Sequence, residues 1–268
     1  MMLLIDAGNT RIKWALAADA SKPGQWLDYG AVMHADAAQL ADAWRAAFTT
    51  HAAQGHGAVT RVLAANVAGA AVREQLERML AAAGNAEAIE WFASIPERAG
   101  VKNGYRNPGQ LGCDRFAAAI GAHALAPGRA IIVANCGTAT TIDAVTADGV
   151  FLGGMILPGL GLMATSLARN TAQLPQIAQG GPLPSGFADN TDDAILSGLL
   201  AAQAGAIEHA CMLHQAEDCL ISGGAAQYIS PALTARVPHQ LVDNIVLIGL
   251  HAAVVHPDHG GADLDRPC

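Results

Sequence analysis

The 268-residue sequence is short of charge, of aromatics and of paired cysteines, and each shortage excludes a class of protein. Charged residues make up only 14% of it, against a hydrophobic fraction of 52%. A disordered chain has the opposite balance, so a buried core is expected. The net charge is −8, which leaves no global basic field for nucleic acid. The five cysteines, Cys113, Cys136, Cys211, Cys219 and Cys268, include no Cys-x-x-Cys pair. A disulfide frame and a zinc knuckle are therefore not expected, and reduced thiols fit a cytoplasmic protein. The opening MMLLIDAGNTRIKW lacks the basic start of a signal peptide, and Asp6 breaks its apolar stretch early. Ile195 to Leu213 is apolar but carries Glu208 and His209, so it reads as a buried helix and no membrane is expected. Aromatics are only 4%, and alanine takes their place, which favours helices. Neither a G-x-x-x-x-G-K-[ST] loop nor a G-x-G-x-x-G fingerprint occurs.

What is present alternates. Met2–Ile5 and Arg11–Ala17 read as paired strands around a tight turn, Asp6–Thr10. Helices are expected over Ala37–Phe48 and Gly69–Ala83, and short strands over Arg61–Ala65 and Ala88–Phe92. A Gly/Pro/Asn loop, Asn103–Gly109, leads to a helix from Cys113 to Ala126, which Pro127-Gly128 ends. The opening pattern then recurs: a strand (Ala130–Ala134), a glycine turn (Asn135–Thr138) and further strands over Ala139–Val145 and Gly149–Leu157. Helices follow over Leu160–Ala168, Thr191–His214 and Pro231–Ala235, and Leu241–Leu250 reads as a strand and helix start. The result is an α/β protein of two related halves, residues 1–128 and 129–268, with a loose tail from His256.

The two turns carry chemistry. In Asp6-Ala7-Gly8-Asn9-Thr10 a strand delivers a carboxylate into small residues. Gly8 lets a phosphate approach the backbone, Asn9 and Thr10 add donors, Lys13 can neutralise phosphate charge, and Asp6 can hold Mg²⁺. Phosphoryl transfer needs these parts, because its catalysis is mostly positioning and charge stabilisation. An ordinary polar hairpin turn explains the same residues when they stand alone. The second turn, Asn135-Cys136-Gly137-Thr138, favours a polyphosphate held from two sides across a cleft. Ser222-Gly223-Gly224 adds a glycine pair that a nucleobase or ribose can approach. In this order the three motifs resemble the ribonuclease-H-like halves of the acetate-kinase, sugar-kinase, Hsp70 and actin superfamily.

The segment from Tyr105 to Arg115, YRNPGQLGCDR, is the most specific one. With DAGNTRIKW, CGTATTID, GGMILPGLGLM, Asn190-Thr191-Asp192-Asp193 and LISGGAA it resembles the type III pantothenate kinases over nearly the whole chain before the tail. That resemblance implies ATP-dependent phosphorylation of pantothenate, with Mg²⁺ accompanying ATP, and a homodimer whose pocket borrows residues from the partner subunit. It implies that Asp6, Ala7, Gly8, Asn9, Thr10, Arg11, Ile12, Lys13 and Thr138 meet ATP. Asp114 is then the general base, and Tyr105, Gly112, Cys113, Asp114, Arg115 and Thr191 form the pantothenate site. Arg115 can also hold the Asp114 carboxyl in its charged form. The resemblance also implies potassium or ammonium, at a position where many relatives carry Asp and this chain carries the neutral Asn135.

Alternatives remain beside this reading. Another small alcohol is a possible acceptor, and an ATP-binding accessory protein without turnover would share both turns. Asp114–Arg115 alone would read as a helix-start aspartate and a surface cation. Asp143 reads as structural, and Asp192-Asp193 as an acidic pair at a helix start rather than a Mg²⁺ site. Gly153-Gly154 and Gly159-x-Gly161 read as turn glycines near a lid. His251, His256 and His259 read as solvated tail residues rather than metal ligands, and Trp14, Trp26, Trp44 and Trp91 as core or interface residues.

Overall fold

The computed structural model describes residues 1–175, 183–184, 186–233 and 237–256. They form two compact units. The first opens with β1 (Met2–Ala7), β2 (Arg11–Ala17) and β3 (Asp28–Met33), continues through α1 (Gln39–His51), β4 (Arg61–Asn66), α2 (Ala70–Ala82) and β5 (Ile89–Trp91), then makes a small ribbon of β6 (Glu97–Arg98) and β7 (Val101–Asn103), and ends in α3 (Cys113–Leu125). Its five-stranded sheet has the order β3-β2-β1-β4-β5. β1 to β3 are antiparallel, and β1, β4 and β5 run parallel. Every residue of the central β1 is buried, as expected of a strand covered on both faces. Leu3, Ile5, Ile12, Trp14 and Leu16 pack against Leu40 and Trp44 of α1 and Leu76 and Leu80 of α2. The helical spacing of those four residues thus closes one face of the sheet.

The second unit repeats this order. It contains β8 (Ile131–Cys136), β9 (Ala139–Val145), β10 (Val150–Pro158), α4 (Leu160–Asn170), α5 (Thr191–His214), β11 (Asp218–Ser222), α6 (Ala226–Ile229) and β12 (Gln240–Leu241). Its strands run β10-β9-β8-β11-β12, again three antiparallel followed by two parallel additions. β8 therefore stands where β1 stands. Ile132, Ala134, Ile142 and Ile221 pack against Leu200, Ala204, Ile207 and Cys211 of α5. Among the described residues, α5 alone is long and apolar enough to cross a membrane by length and composition. One face of it is core, and Met212 and Leu213 at its end are exposed. The recurrence expected from the two turns is thus a recurrence of whole sheets.

The last helix, α7 (Ile245–Val255), departs from the expected division at residue 128. The units divide between Leu125 and Ala126, and α7 from Val246 onward joins the first unit. A close helix crossing causes this. A Cβ added at Gly249 would lie 1.7 Å from the Ala117 carbonyl oxygen of α3, so only glycine permits the approach. Ile248 packs beside Gly24, and the His251 ring lies 5.5 Å from that of Trp26. His251 is therefore a buried core residue and not part of a solvated tail. His256 is exposed, while His259 and Cys268 lie outside the described residues, as does Ala235 of the helix expected at Pro231, where a short 3₁₀ turn covers Ser230–Ala232. β3, which carried no clear strand signal, pairs through a glycine: a Cβ at Gly30 would meet the Trp14 indole at 2.8 Å.

Burial lowers the His251 pKa from 6.5 to about 4. The folded state keeps the ring neutral, while the unfolded chain takes up a proton below its ordinary value. Stability from this group is complete above pH 6.5 and is lost as pH falls through the window from 6.5 to 4. The loss at pH 5.5 is about 1 kcal/mol. Urea unfolding at pH 7.5 and 5.5 should show a smaller acid loss in His251→Phe than in the unaltered protein. Equal losses would mean that His251 is not the titrating group.

Candidate active site

The first unit gathers most of the residues singled out by the sequence. Asp6 is the penultimate residue of β1 and faces Lys13 across the ladder, with Lys13 Nζ 3.8 Å from Asp6 Oδ2. Its alternation places it on the β1 face of Met2 and Leu4. Asp6 is only 7% exposed, and burial pushes its pKa up to about 6. Lys13 opposes the rise, and the nearby Asp114 carboxylate adds to it. The chain thus brings Asp6, Lys13 and Asp114 into one electrostatic group.

Beyond Asp6 the chain turns at Gly8. The Gly8 N–H donates to the Arg11 carbonyl at 3.1 Å, and the Ala7 carbonyl accepts from the Val67 N–H at 3.1 Å. Asn9, Thr10 and Arg11 are exposed, whereas Ala7 and Ile12 are fully buried core residues. Within the expected ATP segment, the side chains of Ala7 and Ile12 therefore belong to the fold. Gly8 has ordinary backbone angles, and an added Cβ would come no closer than 3.6 Å to its surroundings. Gly137 in the second turn is alike, with a nearest approach of 3.5 Å. The chain itself does not require glycine at either place.

Asp114 sits in the first turn of α3. The loop before it is knit by asparagines: Asn103 Oδ1 accepts from the Tyr105 N–H at 3.1 Å, its Nδ2 donates to the Pro108 carbonyl at 3.1 Å, and Asn107 Oδ1 accepts from the Gly109 N–H at 3.3 Å. Asp114 Oδ1 accepts from the Arg115 N–H at 2.8 Å. A Cβ at Gly112 would lie 2.7 Å from that same Oδ1, so the glycine clears the space the carboxylate occupies. Burial raises the Asp114 pKa, and the Arg115 N–H and guanidinium pull it down without cancelling the rise. Arg115 therefore does not hold Asp114 below the ordinary carboxylate range. The guanidinium itself is buried and donates from Nη1 to the Tyr105 hydroxyl at 2.9 Å. Cys113 is fully buried, and its thiol donates to the Asn66 carbonyl at 3.7 Å, which ties α3 to the end of β4.

In the second unit, Asn135 of β8 occupies the position that Asp6 holds in β1, with the small Cys136 and then Gly137 after it. Burial pushes the Cys136 thiol up to about 12, so it stays protonated. Two glycines are fixed against this turn by the chain. A Cβ at Gly159 would lie 2.1 Å from the Gly137 carbonyl oxygen, and one at Gly223, where φ is +93°, 2.5 Å from that of Cys136. Gly223 thus serves internal packing, while Gly224 has open space around its Cβ position. Gly153-Gly154 lie inside β10 at a register shift rather than in a turn. Thr191 opens α5 and is exposed. Asn190 caps that helix by accepting from the Asp193 N–H at 3.0 Å, and the acidic pair lies in its first turn, where it complements the helix dipole. Asp143 is buried in β9. Among the described residues no group of three or more His, Cys, Asp or Glu side chains is arranged to hold a metal.

His34 was not singled out by sequence, yet its Nε2 lies 2.7 Å from the Gly8 carbonyl oxygen. A lone histidine after an alternating stretch gives no signal of that contact. Asn66 was missed for the same reason: its carbonyl and side chain organise the approach to α3 and α2.

Residues 2–212 match the family model described as type III pantothenate kinase. A relative from Herminiimonas arsenicoxydans named type III pantothenate kinase is 56% identical, over 96% of this chain and 98% of its own length. One of the same name from Janthinobacterium sp. (strain Marseille) is 53% identical, over 95% and 98%. Among solved structures, a conserved putative Baf family transcriptional activator from Campylobacter jejuni is 17% identical. It superposes with a TM-score of 0.57, covering 94% of this chain and 96% of its own, and so shares the fold.

A desolvated Asp6 has a cost. Its folded pKa lies above the unfolded value of 3.8, so stability is lost as pH rises from about 4 to about 6, by about 3 kcal/mol once ionisation is complete. Asp6→Asn should raise the urea midpoint at pH 7.5, with the gap closing by pH 4. A variant less stable than the parent at pH 7.5 would show that Lys13 already compensates the charge.

Proposed function

We propose how these residues act from one premise: the chain belongs to the type III pantothenate kinase family. Its reaction is the ATP-dependent phosphorylation of pantothenate to 4′-phosphopantothenate, the first step of coenzyme A biosynthesis. The fold is that of the sugar-kinase, Hsp70 and actin superfamily.

The observation that carries the assignment is the partly buried carboxylate of Asp114, with its place cleared by Gly112 and its ionisation opposed by desolvation. A carboxylate with a raised pKa is a better proton acceptor, and a base works best with its pKa nearer the operating pH. Asp114 accepts the proton of the primary hydroxyl of pantothenate. The hydroxyl oxygen then bonds to the γ-phosphorus, the bond from that phosphorus to the β–γ bridging oxygen breaks, and ADP leaves. Arg115, with its planar donors set by Tyr105, holds the oxygen-rich acceptor. The exposed backbone around Asn9 and Thr10, with Lys13 and Thr138, meets the ATP phosphates. Gly8 and Gly137 support this, because the fold has no steric use for them and a close ligand does.

Magnesium accompanies ATP in this reaction and supplies positive charge to the phosphate oxygens. Asp6 fits it. One buried carboxylate whose charge is poorly stabilised, used together with ATP oxygens and water, is an ordinary Mg²⁺ arrangement.

Thr191 is assigned to the pantothenate pocket of the partner subunit in a homodimer. Asp114→Asn should keep the fold and ATP affinity but lose about 10²–10⁴ in turnover. Mixing it with an inactive Thr191→Tyr variant should restore activity if the subunits share sites. Near-parental turnover in Asp114→Asn would remove Asp114 from the base role, and failed restoration between folded, exchanging subunits would remove Thr191.

Asn135 is assigned to a monovalent cation, which it can meet with its neutral carbonyl. Potassium should therefore act only at high concentration, and Asn135→Asp should lower the concentration for half-maximal turnover. An unchanged potassium titration would place the ion elsewhere.

A further inference from the structure

We propose that His34 is a positioning residue that aims the Asn9 N–H at the phosphate oxygens of ATP. The proposal rests on the assignment of the first turn to ATP, given above.

The contact fixes a tautomer. A carbonyl oxygen only accepts, so the ring nitrogen 2.7 Å from the Gly8 oxygen is protonated Nε2. The other nitrogen, Nδ1, is buried with no hydrogen-bond partner. A buried acceptor without a partner costs stability, and a ring placed only for packing would not need to carry it. Among the described residues, the one hydrogen bond of the His34 side chain is to the turn.

Two peptides flank Gly8, and they are held differently. The first is gripped by main chain at both ends: the Ala7 carbonyl accepts from Val67, and the Gly8 N–H donates to Arg11. The second contains the Gly8 carbonyl and the Asn9 N–H. His34 holds that carbonyl. A trans peptide is planar, with its C=O and N–H pointing in opposite directions. Fixing the carbonyl inward therefore fixes the Asn9 N–H outward, at an exposed turn residue. Glycine at position 8 leaves this peptide free to rotate in the absence of such a clamp. The chain selects a flexible residue where a phosphate approaches and supplies the missing rigidity from a side chain 26 residues away.

The test is ATP affinity by calorimetry on the folded full chain, with KM values for both substrates and melting temperatures. His34→Ala frees the peptide, and His34→Gln keeps an amide N–H near the position of Nε2. Lys13→Ala serves as an independent probe of the turn. His34→Ala should weaken ATP binding about 10- to 100-fold, the scale of a hydrogen bond to a charged group, and leave the pantothenate KM within about twofold. His34→Gln should recover most of the loss. If Lys13→Ala weakens ATP and His34→Ala does not, the clamp is wrong and the ATP assignment stands. If neither weakens ATP, the assignment of the turn fails and the clamp fails with it. If both His34 variants lower the melting temperature and weaken the two substrates alike, His34 is only structural and the proposal is overturned.

Discussion

Asp6 is a buried carboxylate and Asp114 a partly buried one, close enough to repel one another, with Lys13 as a cation beside Asp6. Neither environment suits a charge, and the rest of the first unit explains how it is maintained. β1 carries Asp6 because its ladder pairs on both sides with β2 and β4, so the strand cannot shift to expose it. α3 carries Asp114 because its first residue is tied to β4 and its loop is knit by Asn103 and Asn107. Local stability is given up at this point and supplied by packing elsewhere, as is common where charge must meet charge in a reaction.

Two groups of glycines bear on the site and its packing. Gly112, Gly159, Gly223 and Gly249 stand where any side chain would strike atoms of the chain itself. Gly8, Gly137 and Gly224 stand in open surroundings with ordinary room for a Cβ. The first group builds the fold and the second leaves surface for something outside it. Glycines in turns are often explained by conformational freedom, yet Gly8 and Gly137 have no positive φ to need it.

Much of this was legible in sequence because strong local signals coincide with the site. The hairpin strands, the glycine turns, Asp6, Lys13 and Asp114 all stand in contiguous motifs, and the helix expected over Thr191–His214, with its acidic pair at the start, agrees with α5. What escaped depends on distance along the chain. β3 contains Asp and Gly and becomes a strand only by lying over Trp14. His34 and Asn66 act on backbone groups of remote residues, which no periodicity announces. The balance at Asp114 was read toward Arg115, because a neighbouring charge is visible in sequence and desolvation is not. Gly223 was read as a ligand glycine, since its contact with Cys136 joins strands far apart in the chain.

The crossing of α7 over α3 at Gly249 and Ala117 bears on the order in which the protein is made. Residues 126–245 are contiguous, so the second unit is synthesised without interruption and holds all its own strands when it leaves the ribosome. The first unit begins earlier and finishes later. Its sheet is complete at β5, but the surface of α3 around Ala117 and the groove at Gly24 await a helix that emerges more than a hundred residues afterwards. Until then a nascent chain carries an N-terminal unit with an open apolar flank beside a younger unit already able to close. Domains usually fold from the N-terminus during translation. Here the unit bearing Asp6 and Asp114 is the last to be sealed.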